Sequence, residues 1–99
     1  MKMFPIWYLV GATLLMQVAL ASAADTIKIA VLVGLSGPNA IYGEGQVNAF
    51  NAAADIVNTR GGVLGRNIEI VPMDNKGTPQ EALIQFKRAI DDDIRYVAS

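Results

Sequence analysis

Residues that could contact a small molecule lie directly after a short apolar run at positions 27–33. Ser36 offers a hydroxyl, Gly37 a flexible backbone and Tyr42 an aromatic ring with a polar tip. The run IKIAVLV is β-branched and nearly free of charge, which is typical of a strand buried on both faces of a parallel sheet. Open α/β sheets bind ligands at turns beyond the carboxyl ends of such strands. The turn 35–42 is therefore predicted to be a small-molecule binding edge, with no side chain equipped to break bonds.

Other roles for these residues stay open. Tyr42 could pack on its own domain as an ordinary helix-start aromatic, and Ser36 could bond the backbone of its turn. Four nearby glycines invite a phosphate-binding interpretation, but their spacing differs from the dinucleotide fingerprint and no lysine follows in phosphate-loop order. They are Gly34, Gly37, Gly43 and Gly45.

Catalytic and metal chemistry have little support in the residue types. The chain has no histidine and no cysteine, and no paired carboxylates stand among apolar residues that would shift their pKa values. The segment 74–77, DNKG, lacks the ligand count that calcium requires, and the triplet 91–93, DDD, is typical of a solvated helix end. We expect a binding protein, not an enzyme, with no cofactor and no metal.

The first 23 residues are predicted to be a signal peptide. Lys2 gives a positive start, residues 8–20 form a largely apolar stretch, and Ala21-Ser22-Ala23 offers small residues for a signal peptidase. Thirteen helical residues rise about 20 Å, less than the roughly 30 Å of a hydrocarbon core. Cleavage is expected after Ala23, with Ala24 as second choice, and an uncleaved anchor is the alternative.

The charge and cysteine content of the mature part, residues 24–99, indicate an exported and unanchored protein. It keeps seven Lys/Arg against nine Asp/Glu, a net charge of −2, so no field attracts nucleic acid or anionic lipid. Without cysteine it forms no disulfide and cannot carry a bacterial lipid anchor. We expect a periplasmic monomer that does not insert into the membrane after cleavage.

The next 30 residues predict a helix followed by an edge strand. Positions 43–60 carry an apolar stripe at helical spacing, with an opposite polar face of Asn48, Asn51, Asp55 and Asn58. The stripe consists of Val47, Phe50, Ala53, Ala54, Ile56 and Val57. Gly61-Gly62 should end this helix in a left-handed cap. Residues 67–71 alternate as a second strand, which Pro72 should limit.

A second helix and a third strand complete the pattern. Thr78 should cap the helix, with Pro79 at its first position and Glu81 bonding back to the cap; the buried stripe is Ala82, Leu83, Phe86, Ala89 and Ile90. Residues 94–99 begin the third strand. The fold class is α/β, a three-layer βαβαβ parallel sheet with right-handed crossovers. Because the closing helix layer is missing, we expect a fragment of a larger product.

Four segments resemble the branched-chain amino-acid (Leu/Ile/Val-type) periplasmic binding proteins of ABC transporters. They are IKIAVLVGLSG, PNAIYGEGQ, NTRGGVLGRNIEIV and MDNKGTPQEA, in order through the mature chain. The resemblance implies the first, incomplete lobe of a type I periplasmic-binding fold, in which two lobes close over a ligand. It also implies that Tyr42 lines the cleft and that Leu35, Ser36 and Gly37 border it. The groups for an amino acid's charges would follow the third strand, and relatives commonly have glycine where this chain has Asp93.

The function that the resemblance implies is capture of a small ligand for an ABC importer and its membrane permease. The ligand would be an amino acid of branched-chain type, or a related amide or aromatic acid. A ligand-binding sensor or receptor domain of the same fold is the main alternative, and a periplasmic enzyme is a third.

Overall fold

The computed structural model describes residues 26–99, which form a parallel sheet with two connecting helices. The elements are β1 (Ile27–Val33), α1 (Ala40–Thr59), β2 (Ile68–Asp74), α2 (Pro79–Asp91) and β3 (Tyr96–Ala98). Both outer strands run parallel to β1 in the order β2-β1-β3. The α/β class and the βαβαβ order predicted from sequence are confirmed. The predicted signal peptide and its cleavage site lie outside the described residues.

Strand β1 is buried on both faces, as its composition predicts. Its last four residues, 30–33, are all buried. Ala30 and Leu32 pack with Ala89 of α2 and with Met73, while the alternate residues point to the opposite face because side chains alternate along a strand. The chain passes from β1 outward to β2 and then back across β1 to β3. With right-handed crossovers, that reversal puts the two helices on opposite faces of the sheet.

Helix α1 begins at Ala40, three residues before the predicted helix at positions 43–60. The Asn39 carbonyl accepts hydrogen bonds from the N–H groups of Tyr42 (3.1 Å) and Gly43 (3.4 Å), so Tyr42 lies within the first turn. The predicted end is confirmed, since Gly61 adopts a positive φ of 100° and the Gly62 N–H donates to the Val57 carbonyl at 2.9 Å. The stripe is wrong at Phe50, Ala53 and Ile56, which are exposed.

Asn58 does not lie on the solvated face of α1 that its spacing predicts. Its side-chain amide donates to the Ile68 carbonyl at 2.9 Å, and its Oδ1 accepts from the Ile68 N–H at 2.8 Å. These two bonds join the end of α1 to the first residue of β2. The spacing misleads here because the edge of β2, and not water, lies beside this part of the helix.

Pro72 does not end the pairing of β2 as predicted from its missing N–H. The ladder runs past it, with Pro72 opposite Val31 and Asp74 opposite Val33. Backbone N–H groups alternate sides along a strand, and the N–H of Ile68 points outward to Asn58. Pro72 lies four residues after Ile68, and residues an even number apart point their backbone nitrogens to the same side. The proline nitrogen therefore faces the outer edge, where no ladder bond is lost.

Helix α2 starts as predicted but buries a narrower face. The Thr78 hydroxyl oxygen accepts from the Glu81 N–H at 3.2 Å. The return bond from Glu81 to the cap is wrong, because the Thr78 N–H donates to the Asn75 carbonyl and Glu81 accepts from Gln85. Ala89 is buried and Ala82 packs beside it. The other three members of the predicted stripe, Leu83, Phe86 and Ile90, are exposed.

The end of α2 contains a left-handed aspartate. Asp93 has a φ of +58°; its N–H donates to the Ile90 carbonyl at 3.0 Å, and the Ile94 N–H donates to the Ala89 carbonyl at 2.9 Å. This bond pattern is the Schellman motif, which normally places glycine at the left-handed residue. Ile94 is buried beneath the cap, so β3 begins at Tyr96 and not at Ile94.

Candidate functional site

The candidate site is the turn between β1 and α1, at the carboxyl end of the central strand. The end of β2 holds this turn. The Leu35 N–H donates to Asp74 Oδ1 at 2.8 Å, and the Lys76 N–H donates to the same oxygen at 2.8 Å. The Val33 carbonyl also accepts from the Asn75 N–H at 3.0 Å. The ends of the two neighbouring strands are therefore joined by one carboxylate and one extra ladder bond.

The hydrogen bonds to Asp74 lower the pKa of its carboxyl below the ordinary value. The largest cause is the Leu35 N–H, followed by the Ser36 hydroxyl, the Lys76 N–H and the Lys76 charge, with desolvation acting in the opposite direction. A lowered folded pKa stabilises the fold above the unfolded pKa of about 3.9. That stabilisation is lost as the pH falls through the folded pKa.

Gly43 lets the first turn of α1 approach the end of β1. A β-carbon at this position would overlap the carbonyl oxygen of Gly34, and Gly43 is buried. Gly37 takes a positive φ of 79° in the turn itself. Packing and turn geometry thus account for two of the glycines that raised the question of phosphate binding.

The structure brings the four predicted ligand-binding residues to one edge of the sheet. Ser36 and Gly37 are exposed and Leu35 is half-buried. Tyr42 lies in the first turn of α1, and 72% of its surface is exposed. Their contact with a ligand stays a prediction. Within residues 26–99, no three His, Cys, Asp or Glu side chains group as a metal site would require.

Asp74 is the residue of this site that sequence reasoning missed. From sequence alone, the segment 74–77 is interpreted as a solvated turn before the Thr78 cap. Asp74 lies beside Leu35 because the parallel register places it opposite Val33. One signal could have indicated the role of Asp74. It is a carboxylate at the last position of an edge strand, and the neighbouring strand is followed by a turn that carries a serine.

An open edge at the carboxyl ends of parallel strands defines the class of the protein, a doubly wound α/β domain of the kind that binds ligands there. The chain belongs to the periplasmic binding protein family, whose sequence model, described as "Periplasmic binding protein", matches residues 26–99. None of the helices in that range is long and apolar enough to cross a membrane.

Similar proteins bear names of branched-chain amino-acid binders. The chain is 34% identical over 74 residues to the Leu/Ile/Val-binding protein of Escherichia coli K12, covering 75% of this chain and 20% of that protein. It is 33% identical over 87 residues to the Leu/Ile/Val-binding protein BraC3 of Rhizobium johnstonii, covering 87% and 24%. The resemblance inferred from sequence is confirmed. The chain spans about a fifth of the length of these relatives.

Solved structures of the same family share the fold. The branched-chain amino acid transporter substrate binding protein LivJ of Streptococcus pneumoniae, in complex with isoleucine, superposes with a TM-score of 0.66 at 32% identity, covering 74% of this chain and 21% of that one. A type 1 periplasmic binding protein of Bordetella pertussis gives 0.64 at 34%, covering 71% and 19%. A fatty acid ABC transporter substrate-binding protein of Thermomonospora curvata gives 0.63 at 31%, covering 74% and 18%.

Proposed function

We propose that this chain is the first part of the solute-binding component of an ABC importer. The complete protein captures a small ligand between two lobes and delivers it to a membrane permease. The observation that carries the proposal is the family match across residues 26–99, combined with an exposed turn at the carboxyl end of the central strand. A ligand that stabilises the closed form over the open form drives closure, because only differential affinity shifts such an equilibrium.

The cleft edge in this proposal consists of Leu35, Ser36, Gly37 and Tyr42. The Tyr42 ring stands in solvent in the described part of the chain, where a second lobe and a ligand can reach it. Aromatic rings with a polar tip suit pockets that are half apolar and half wet. Gly43 supports this role, since its packing against Gly34 fixes the helix turn that carries Tyr42.

The proposed ligand class is an amino acid of branched-chain type or a related amide or aromatic acid. Leu/Ile/Val-binding relatives and the isoleucine complex favour it. The structural neighbour named for fatty acids has nearly the same identity, so a binding panel should include a fatty acid. The lobe opposite this one contributes to the choice, because a closed cleft contacts the ligand from both sides.

Replacing Tyr42 by alanine tests the proposed cleft. In the full-length protein, Tyr42→Ala should weaken binding of L-isoleucine, or of the best ligand of the panel, by about 1–3 kcal/mol if the ring is desolvated on closure. Calorimetric titration measures the dissociation constant. An unchanged constant assigns Tyr42 to packing.

Tyr96 provides the matched control. It is also an exposed tyrosine, at 60%, but it pairs with Ile29, four residues before the end of β1. At about 3.3 Å per residue it stands some 13 Å along the sheet from the proposed edge. Tyr96→Ala should leave the dissociation constant unchanged while the protein remains folded.

We also propose periplasmic localisation through a cleaved signal peptide at residues 1–23. The family name and the apolar stretch at positions 8–20 support it. Mass spectrometry of the exported protein should find an amino terminus at Ala24 or Asp25. A chain that still begins with Met1 would contradict the cleavage.

A further inference from the structure

The peptide group between Gly34 and Leu35 lies where β1 passes into the cleft edge, and both of its polar atoms are held. The register of β1 with β2 ends at the pair Val33 and Asp74. Just beyond it, the Leu35 N–H donates to Asp74 Oδ1 at 2.8 Å. On the other side, the Gly34 carbonyl packs so closely on Gly43 that a β-carbon there would overlap its oxygen. Because a peptide group is planar, these two contacts fix the direction in which the chain enters the turn.

The Asp74 carboxylate is itself held by the turn that follows it. The same Oδ1 accepts from the Lys76 N–H at 2.8 Å, the bond of an Asx-turn. Lys76 has a φ of +50° in the left-handed region, and the Thr78 N–H closes the turn on the Asn75 carbonyl at 3.1 Å. A strained residue persists only where its surroundings determine its conformation. The acceptor for the Leu35 N–H therefore belongs to a fixed turn.

We propose that Asp74 is a positioning residue of the cleft, which does not touch the ligand and raises affinity by holding the Leu35 backbone, so that the cleft edge is ordered in the open form. The inference rests on the proposed function. Residues 36–38, which follow Leu35, are exposed, so packing does little to order them. Their order depends on the two ends of the turn, which are the Leu35 bond to Asp74 and the bond of 3.2 Å from the Ala40 N–H to the Gly37 carbonyl.

Loss of the Asp74 bond should act on the free protein and not on the closed complex. When only a fraction of the molecules has an ordered edge, the apparent dissociation constant rises by the inverse of that fraction. The association rate falls, because the ligand meets fewer competent molecules, while the dissociation rate of the closed complex is unchanged. Removal of a direct ligand contact raises the dissociation rate instead.

Two substitutions in the full-length protein test the Oδ1 acceptor. In Asp74→Ala, the dissociation constant for L-isoleucine, or for the best ligand of the panel, should rise about tenfold, the cost of ordering the backbone of one residue. The change should lie in the association rate. Asp74→Asn keeps an oxygen that accepts from Leu35 and Lys76 and should retain most of the native affinity. Calorimetry measures the constant and stopped-flow mixing the two rates.

Thr78→Ala is the matched control next to the same turn. It removes the bond from the Glu81 N–H to the Thr78 hydroxyl and should lower the stability of the protein without changing the dissociation constant. Equal weakening of binding in Thr78→Ala and Asp74→Ala would mean that affinity only follows stability, and would overturn the inference. A faster dissociation rate in Asp74→Ala, with an unchanged association rate, would overturn it as well, because Asp74 would then contact the ligand.

A test without ligand or unfolding risk uses the native protein. In NMR spectra, the amide protons of Leu35 and Lys76 should shift with the pH titration of the Asp74 carboxyl, whose pKa the Leu35 N–H lowers most. In Asp74→Asn both shifts should vanish. A Leu35 amide that does not follow this titration, or an unchanged dissociation constant in Asp74→Ala, would refute the role of Asp74 while importer function stands. A native protein that binds no member of the panel would refute the proposed ligand class and the positioning role together.

Discussion

Single residues at the ends of elements determine the local geometry of this chain. Asp93 illustrates a position where conformation and residue type disagree. Its φ of +58° is in the left-handed region, where a β-carbon is disfavoured. Its charge stands at the negative end of the α2 dipole. Arg95 Nε lies 3.8 Å from Asp93 Oδ1, and both side chains are mostly exposed. Such surface ion pairs contribute little to the stability of the fold.

Replacing Asp93 by glycine should therefore stabilise the protein. We expect Asp93→Gly to raise the free energy of unfolding by about 0.5–1 kcal/mol, since relief of the left-handed conformation and of the charge exceeds the entropy that glycine adds to the unfolded chain. Urea unfolding of the full-length protein measures it.

The substitution Asp92→Gly is the control for this prediction. It removes a charge at the same helix end, but from a residue whose φ is an ordinary −85°. Asp92→Gly should not stabilise to the same extent. An equal gain in both variants would assign the effect to charge alone.

At the scale of elements, the Asn58 side chain joins α1 to the Ile68 backbone of β2, a connection called here the Asn58 clamp. The residue pattern of neither element predicts it. The two hydrogen bonds of Asn58 satisfy the outward N–H and carbonyl of Ile68. In the described sheet, β2 is an outer strand, and unpaired edge groups are sites for unwanted strand pairing. The end of the helix thus covers the outward backbone groups at the first residue of the strand that follows it.

Asn58→Ala should destabilise the protein by about 1–3 kcal/mol, because it leaves two half-buried backbone groups without their partners. Asn58→Asp should also destabilise, since it keeps the oxygen that accepts from the Ile68 N–H but sets a second carboxylate oxygen, which cannot donate, against the Ile68 carbonyl. Thermal or urea unfolding measures both.

Asn51 is the matched control on the same helix, being exposed. Asn51→Ala should be neutral or slightly stabilising, because alanine is the better helix former. Equal effects at positions 51 and 58 would argue against the clamp.

On the scale of the whole molecule, the described residues leave more large apolar side chains exposed than they bury. Eight apolar residues are buried, whereas twelve large ones are exposed. Leu83, Phe86 and Ile90 lie on one side of α2, and a cavity of about 550 Å³ beside them is lined by Phe86, Ile90, Ile94 and Val97 among others. We expect further chain to cover this surface in the complete protein, since exposed apolar patches of this kind mark interfaces.

A peptide of residues 26–99 alone should accordingly bind the dye ANS and unfold without a sharp transition, whereas the full-length protein should bind little dye and unfold cooperatively. Fluorescence and calorimetry compare the two. Cooperative unfolding of the peptide without dye binding would show that the apolar face of α2 needs no cover. The peptide should also lack saturable affinity for amino acids, because half a cleft has no opposing lobe.

The local signals in the sequence were sufficient for the order and the class of the elements. The charge-free run 27–33, the glycines at 61–62 and the Thr78-Pro79 start each act within a few neighbours, so their structural outcome can be read from residue type and spacing. The family resemblance extended this to the expected cleft at Leu35 to Tyr42.

Only the tertiary structure decided which faces are covered and which distant residues meet. Asn58 contacts Ile68 and Asp74 holds Leu35, 39 positions earlier, because of parallel register and crossover direction. Pro72 is tolerated because its nitrogen faces the outer edge. Helical periodicity indicates that a face is apolar, but burial depends on whether another part of the fold lies against it. Residues 26–99 leave Leu83, Phe86 and Ile90 about half exposed.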